Sequence, residues 1–217
     1  MMSNYVFVFD LDDTLYKEID FLKSAYRYIA SVVDKNNSNI LYRRMLGDYY
    51  EGKNVFQLLT QSYNQFSIDS LLDLYRTHYP NISLDNEIYT TLYFLKGKGK
   101  TGLITDGRSI TQRNKISALG LENFFDKIII SEEVGFSKPD IRMFQKFQVD
   151  NDSKCFYIAN DTSKDFLAPN QLGWDTVCLL DNDNINIRKQ DFCLDKEYLP
   201  NIKIANFSEL KSIIEYE

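Results

Sequence analysis

Short apolar runs recur along the chain at 5–9 (YVFVF), 101–105 (TGLIT), 127–131 (KIIIS), 155–159 (CFYIA) and 175–180 (DTVCLL), with a weaker one at 202–205 (IKIA). Their length and their content of Val, Ile, Phe and Tyr predict strands buried on both faces. Between most of them lie helical stretches with readable ends. Ser109 followed by Gln112 reads as a capping box, and Gly120 stands where that helix would stop. Pro139 suits the first turn of the helix carrying Met143, Phe144 and Phe147, and Gly173 closes the helix that follows Asp165. Strand–helix alternation from residue 101 onward predicts an α/β fold, a Rossmann-like parallel sheet with helices on both faces.

Residues 16–84 break that rhythm. Their apolar residues fall at helical spacing: Phe21, Tyr28, Ile29; Leu41, Met45, Tyr49; Phe56, Leu59; Leu71, Leu72, Tyr75. A block this long is too large for one crossover. It is expected to be an inserted α-helical cap over the carboxyl edge of the sheet, its aromatics serving mainly as packing. The expected division is then a core of residues 1–15 and 85–217 and a cap of residues 16–84.

Composition narrows the class of partner. Of 217 residues, 44% are hydrophobic and 26% charged, ordinary for a globular protein that can bury a core. A net charge of −6 argues against nucleic acid or an anionic membrane as the main partner. No run approaches the ~20 apolar residues of a membrane span. The N-terminal stretch lacks the features of a signal peptide. Cys155, Cys178 and Cys193 are odd in number and not spaced as a zinc site; two of them fall in strand-like runs, as buried free thiols would. These features point to a cytoplasmic protein, a monomer or small homo-oligomer. The single histidine, His78, reads as packing or surface, and the exposed-type cap residues Arg43, Arg44, Tyr49 and Tyr50 are the candidates for substrate contact.

The polar residues at the strand ends carry the chemistry. Asp10, Asp12 and Asp13 crowd the end of the first strand, where like charges repel and desolvation adds to the penalty. In extended chain Asp10 and Asp12 share one side and Asp13 takes the other. A divalent cation would offset the repulsion, and hard oxygen ligands favour Mg²⁺; solvated loop acids are the bland alternative. The aspartates have company, however. Thr105 ends the second strand and is followed by Asp106, Gly107 and Arg108; Lys138 precedes Pro139; and a further acidic group, NDTSKD, spans 160–165. A hydroxyl, a lysine and a second carboxylate pair at successive strand ends suit a phosphate site at the carboxyl edge of a parallel sheet.

With these four segments in order, the sequence resembles the haloacid dehalogenase-like superfamily, in the branch with a helical cap between its first two motifs: DLDDTL, LITDGR, SKPD and NDTSKDF. The resemblance implies that Asp10 is a nucleophile forming an aspartyl-phosphate, and that Asp12 is the general acid and base, its carbonyl binding Mg²⁺. Thr14 would hold the turn and orient Asp12, with Asp13 structural. Thr105 and the amides of Asp106 and Gly107 would hold phosphate oxygens, and Lys138 would bridge nucleophile and phosphoryl group. The fourth motif departs from the family's Gly-Asp pattern. In one register Asn160 takes the metal position; in the other Asp161 does, with Asp165 near or in the metal's surroundings. An acid two residues after the nucleophile suits an alkoxide leaving group and so argues for phosphoester rather than halide chemistry. The implied activity is a Mg²⁺-dependent phosphatase of a small-molecule phosphoester; a phosphomutase of the same fold and a non-catalytic ligand-binding relative are the alternatives.

Overall fold

The computed structural model describes residues 4–147 and 152–216. Six parallel strands form one sheet: β1 (Asn4–Phe9), β2 (Gly99–Thr105), β3 (Lys127–Ile130), β4 (Ser153–Ala159), β5 (Asp175–Leu179) and β6 (Ile202–Ile204). Their spatial order is β3-β2-β1-β4-β5-β6, a doubly wound arrangement whose direction of growth reverses at β1. All six predicted strands are present.

Alternate residues of each central strand feed two different cores, as the two-residue period demands. Tyr5, Phe7 and Phe9 of β1 join Phe156 and Ile158 of β4 and Leu103 of β2 on one face. Leu92 and Leu95 of α5 (Asn86–Lys96), Ile116 of α6 (Ser109–Ala118) and Leu210 and Ile214 of α10 (Glu209–Glu215) cover that face. Val6, Val8, Ile104, Tyr157 and Cys178 point the other way. They meet Met143 and Phe144 of α8 (Ile141–Gln145) and Ala168 of α9 (Leu167–Gln171). Such two-sided burial explains why these strands read as continuous apolar runs.

Between β1 and α5 lie α1 (Glu18–Val33), α2 (Ser38–Tyr50), α3 (Val55–Ser62) and α4 (Ile68–Thr77). A separate apolar cluster, including Leu22, Ile29, Leu41, Met45, Leu59 and Leu71, is built wholly from these helices. The ring of Tyr28 leaves this cluster, half-exposed, and stacks on His78 at 6.0 Å. His78 itself is buried, its Nδ1 against the Tyr75 carbonyl at 2.8 Å. Helix α4 and its end dock on α6: the Thr111 hydroxyl donates to the Arg76 carbonyl, and Asn114 donates to the carbonyls of Thr77 and His78.

Two expected helix starts are revised. No side chain caps α6; Ser109 instead bonds Glu132 and Glu133, residues of the short α7 (Ser131–Val134), and Gln112 turns inward. Pro139 lies before α8 rather than in its first turn, because Asp140 caps that helix through the Arg142 N–H. Phe147 falls beyond the end of α8. Cys155 and Cys178 are buried and Cys193 is exposed, all three as free thiols.

Candidate active site

The chain leaves the sheet after Phe9, and the Asp10 N–H still bonds the Ile158 carbonyl across to β4. That bond fixes Asp10 at the carboxyl end of the central strand pair. Its Oδ1 lies 2.6 Å from Lys138 Nζ, which stands at the same distance from Asp165 Oδ1 and 3.2 Å from the Tyr157 hydroxyl. These side chains are almost fully buried. Two carboxylates share one ammonium, so the ionised cluster carries a net negative charge in a poorly solvated place. Burial pushes Asp10 up to about 7, with the Asp165 charge adding to the rise and Lys138 opposing it. Burial acts against charge on Lys138, but Asp10 and Asp165 outweigh it and hold the amine well above its ordinary value. The loop carrying Lys138 is tied to the end of β2 by its backbone N–H, which donates to Asp106 Oδ1 at 3.1 Å; Lys164 holds the other Asp106 oxygen.

Asp12 belongs to a second, adjoining network. Its Oδ1 accepts from Lys115 Nζ at 2.7 Å and from the Tyr16 hydroxyl, and its Oδ2 accepts from Gln112 Nε2 at 2.9 Å. Burial alone would raise Asp12, but Lys115 and the bonds from Tyr16 and Gln112 bring it below its usual range. Gln112 Nε2 also lies 2.6 Å from the Thr105 hydroxyl oxygen and 2.9 Å from the Asp106 carbonyl. Gly107, at φ 147°, lies so close to Gln112 that a Cβ there would stand 3.1 Å from its side chain.

The turn after Asp12 departs from simple alternation. Asp13 adopts φ 57°, and its carboxylate accepts the N–H groups of Glu18 and Ile187, clasping the entry to α1 and the loop after β5. The Thr14 hydroxyl reaches Asp10 Oδ2 (3.4 Å) and Asn160 Oδ1 (3.2 Å), not Asp12. Asp12 is oriented by α6 instead. Of the cap candidates, Arg44 pairs with Asp48 and Ser62 within the helical block, Arg43 and Tyr50 are exposed, and Tyr49 packs edge-on to Tyr26.

After β4, Asn160 and Asp161 take different surroundings. Asn160 Oδ1 shares the Thr14 hydroxyl with Asp10. Asp161 Oδ1 accepts the backbone N–H and hydroxyl of Ser163, whereas its Oδ2 is buried without a hydrogen-bond partner, with Arg188 Nε 3.7 Å away. Asp165 Oδ2 accepts the Asp161 N–H. Among the described residues no group of three or more His, Cys, Asp or Glu stands ready to hold a metal by itself. A hard cation here would draw on mixed oxygens, carboxylate with amide or backbone carbonyl, and keep water, which is the habit of Mg²⁺. The buried Asp161 Oδ2, which has no hydrogen-bond partner and only the more distant Arg188 for charge, fits such a group.

A family model described as haloacid dehalogenase-like hydrolase matches residues 7–179, from β1 through β5. The chain belongs to this family. The hydrolase is 28% identical over 225 residues to the glyceraldehyde 3-phosphate phosphatase of Methanothermobacter thermautotrophicus, covering 95% of this chain and 97% of that one. It is 29% identical over 197 residues to the enzyme of the same name from Methanocaldococcus jannaschii, covering 80% and 83%. Among solved structures, the HAD-hydrolase YfnB of Bacillus subtilis, bound to magnesium, superposes with a TM-score of 0.66 at 20% identity, over 98% of this chain and 99% of that one. The HAD phosphatase of Thermococcus onnurineus gives 0.59 at 18% identity, over 98% of each. These two likenesses establish a shared fold.

Sequence reasoning missed four polar partners in this hydrolase: Tyr16, Gln112, Lys115 and Tyr157. Gln112 and Lys115 are three apart and so share one helix face, which is a readable signal. Both are buried polar residues in a helix beginning four positions after Thr105. Tyr157 sat within an apolar run, where its hydroxyl gave no pattern of its own.

Proposed function

We propose that this hydrolase is a Mg²⁺-dependent phosphatase of small phosphoesters, with Asp10 as nucleophile and Asp12 as general acid and base. The observation that carries the reading is the buried Asp10–Lys138–Asp165 cluster beside the Asp12 network, at the reversal point of the sheet. Asp12 is held ionised before substrate binds, and the negative charge of the bound phosphate raises it so that it takes up a proton from solvent. As an Asp10 oxygen attacks phosphorus and the ester P–O bond breaks, the leaving oxygen takes that proton. Water then attacks the phosphorus of the aspartyl-phosphate and gives its proton to Asp12. Inorganic phosphate leaves and the Asp10 carboxylate is restored. Lys138 steadies charge on the nucleophile and the phosphoryl oxygens. Thr105 and the Asp106 amide hold those oxygens; the Gly107 N–H donates to the Ser131 hydroxyl oxygen at 2.9 Å and would have to leave it to join them.

Asp10, the Asp12 carbonyl and Asp161 would hold Mg²⁺, with Asp165 fixing Asp161 through its N–H. When bound, the ion favours the ionised nucleophile and balances charge on the phosphoryl oxygens. The chain divides into a core of residues 1–15 and 85–217 and a helical cap of 16–84, whose own apolar cluster supports the boundary. The names of the two archaeal relatives make a phosphorylated three-carbon aldehyde the first substrate to test. Phosphate release should be assayed with glyceraldehyde 3-phosphate and a panel of sugar phosphates and nucleotides. Mg²⁺-dependent release abolished by Asp10→Asn is expected; release unaffected by that variant would overturn the assignment.

A further inference from the structure

We propose that Gln112 and Lys115 are positioning residues that jointly fix the Asp12 carboxylate, leaving Oδ2 as its working oxygen, and that Gln112 also aims the Thr105 hydroxyl at phosphate. This rests on the phosphatase reading and adds a role for α6 in it. An ionised carboxylate offers about four lone-pair sites. Oδ1 accepts from both Lys115 Nζ and Tyr16, which fills it. Oδ2 accepts from Gln112 alone and so keeps one site free. The Asp12 side chain retains 19% exposure while Lys115 keeps 4%, so the carboxylate reaches solvent and the ammonium that holds it is buried.

Gln112 has a second effect through the direction of its hydrogen bonds. Its amide nitrogen faces three oxygens: Asp12 Oδ2, Thr105 Oγ1 and the Asp106 carbonyl. The two acceptor-only oxygens, the Asp12 carboxylate and the Asp106 carbonyl, settle the orientation of the amide; its two N–H groups are shared among the three oxygens, and Thr105 Oγ1 is the acceptor in its pair. Its own hydroxyl proton is then free for a phosphoryl oxygen. Because the two functions meet in one side chain, the acid and the phosphate donor keep a common spacing. Lys115 extends the brace toward the helical block, its Nζ standing 4.4 Å from the centre of the Phe21 ring on α1.

The test uses Gln112→Met and Lys115→Met, which keep volume and remove the donors, each assayed on glycerol phosphate and on p-nitrophenyl phosphate. A poor alkoxide leaving group needs the Asp12 proton; p-nitrophenolate scarcely does. Lys115→Met should lower kcat on glycerol phosphate about ten- to a hundredfold while lowering it severalfold less on p-nitrophenyl phosphate. Gln112→Met should show the same split and also raise KM for both substrates, through Thr105. On an Asp12→Asn background, Lys115→Met should have almost no further effect on kcat, because residues acting as a unit are not additive. Lys115→Arg should recover part of the glycerol phosphate activity. Equal losses on both substrates, or full additivity with Asp12→Asn, would overturn the positioning role. If Asp12→Asn itself loses both activities equally, it is the acid–base reading of Asp12 that fails.

Discussion

Replacing Asp10 by Asn tests the electrostatics of the site apart from its chemistry. In the ionised cluster Asp10 and Asp165 share Lys138, leaving one surplus negative charge. Asp10 moves from 3.8 to about 7 on folding, driven first by burial. The folded state therefore holds this proton more tightly than the unfolded chain, and stability falls as pH rises from ~4 through ~7. At about 1.4 kcal/mol per unit, the full penalty above that window approaches ~4 kcal/mol. Asn carries no such charge, though it exchanges the ion pair with Lys138 for a weaker bond from the ammonium to a neutral amide oxygen, so a net gain of roughly 1–4 kcal/mol is expected at pH 8. For a chain of this size that corresponds to a Tm rise of about 2–16 °C. Glu18, also raised to about 7 by burial and by Asp12, is present in both proteins and cancels in the difference except for the smallest of its causes, the Asp10 charge, whose loss widens the gap in the same direction. Thermal melts of both proteins at pH 4 and pH 8 in EDTA make the measurement. The gap should be small at pH 4 and wide at pH 8. Saturating Mg²⁺ should narrow or reverse it, since the wild type would gain about 2.7 kcal/mol at a hundred times Kd and the variant less. A variant less stable than wild type at pH 8 without metal, or a gap indifferent to pH, would refute the reasoning.

Asp12→Asn should slow hydrolysis of an alkyl phosphate about a hundred- to ten-thousand-fold and p-nitrophenyl phosphate much less, with burst kinetics checking that breakdown of the intermediate does not hide the difference. Asp161→Asn should raise the Mg²⁺ concentration needed for half-activity steeply, while Asn160→Asp changes it little; the opposite pattern assigns the metal to Asn160. Lys138→Met removes the ammonium that Asp10 and Asp165 share, so it should abolish turnover and destabilise the fold by about 3–5 kcal/mol at pH 8, measured by denaturant unfolding. The destabilisation should shrink at pH 4, where a protonated Asp10 needs no counter-charge.

All six strands were legible in the sequence because a strand covered on both faces must be apolar throughout, and the turn and cap residues between them carry local signals. The helical nature of the segment between β1 and α5 was legible for a similar reason, through spacing. Helix starts were less so. Ser109 and Gln112 have the spacing of a capping box, yet the carboxylates of Glu132 and Glu133 draw Ser109 outward and Asp12 draws Gln112 inward. Asp10, Asp12, Thr105 and Lys138 could be singled out because polar residues at the ends of apolar strands ask for an explanation. Their pairing could not. Lys138 stands 128 positions from Asp10, and Lys115 stands 103 from Asp12. Only packing of α6 and the loop before α8 against the sheet decides which ammonium meets which carboxylate. Thr14 shows the limit most clearly: local turn geometry suggests service to Asp12, but the sheet brings Asn160 and Asp10 to its hydroxyl instead. Periodicity and local chemistry determine elements, because those depend on neighbours along the chain. Partners across a buried site depend on crossing distances, which the tertiary fold alone sets.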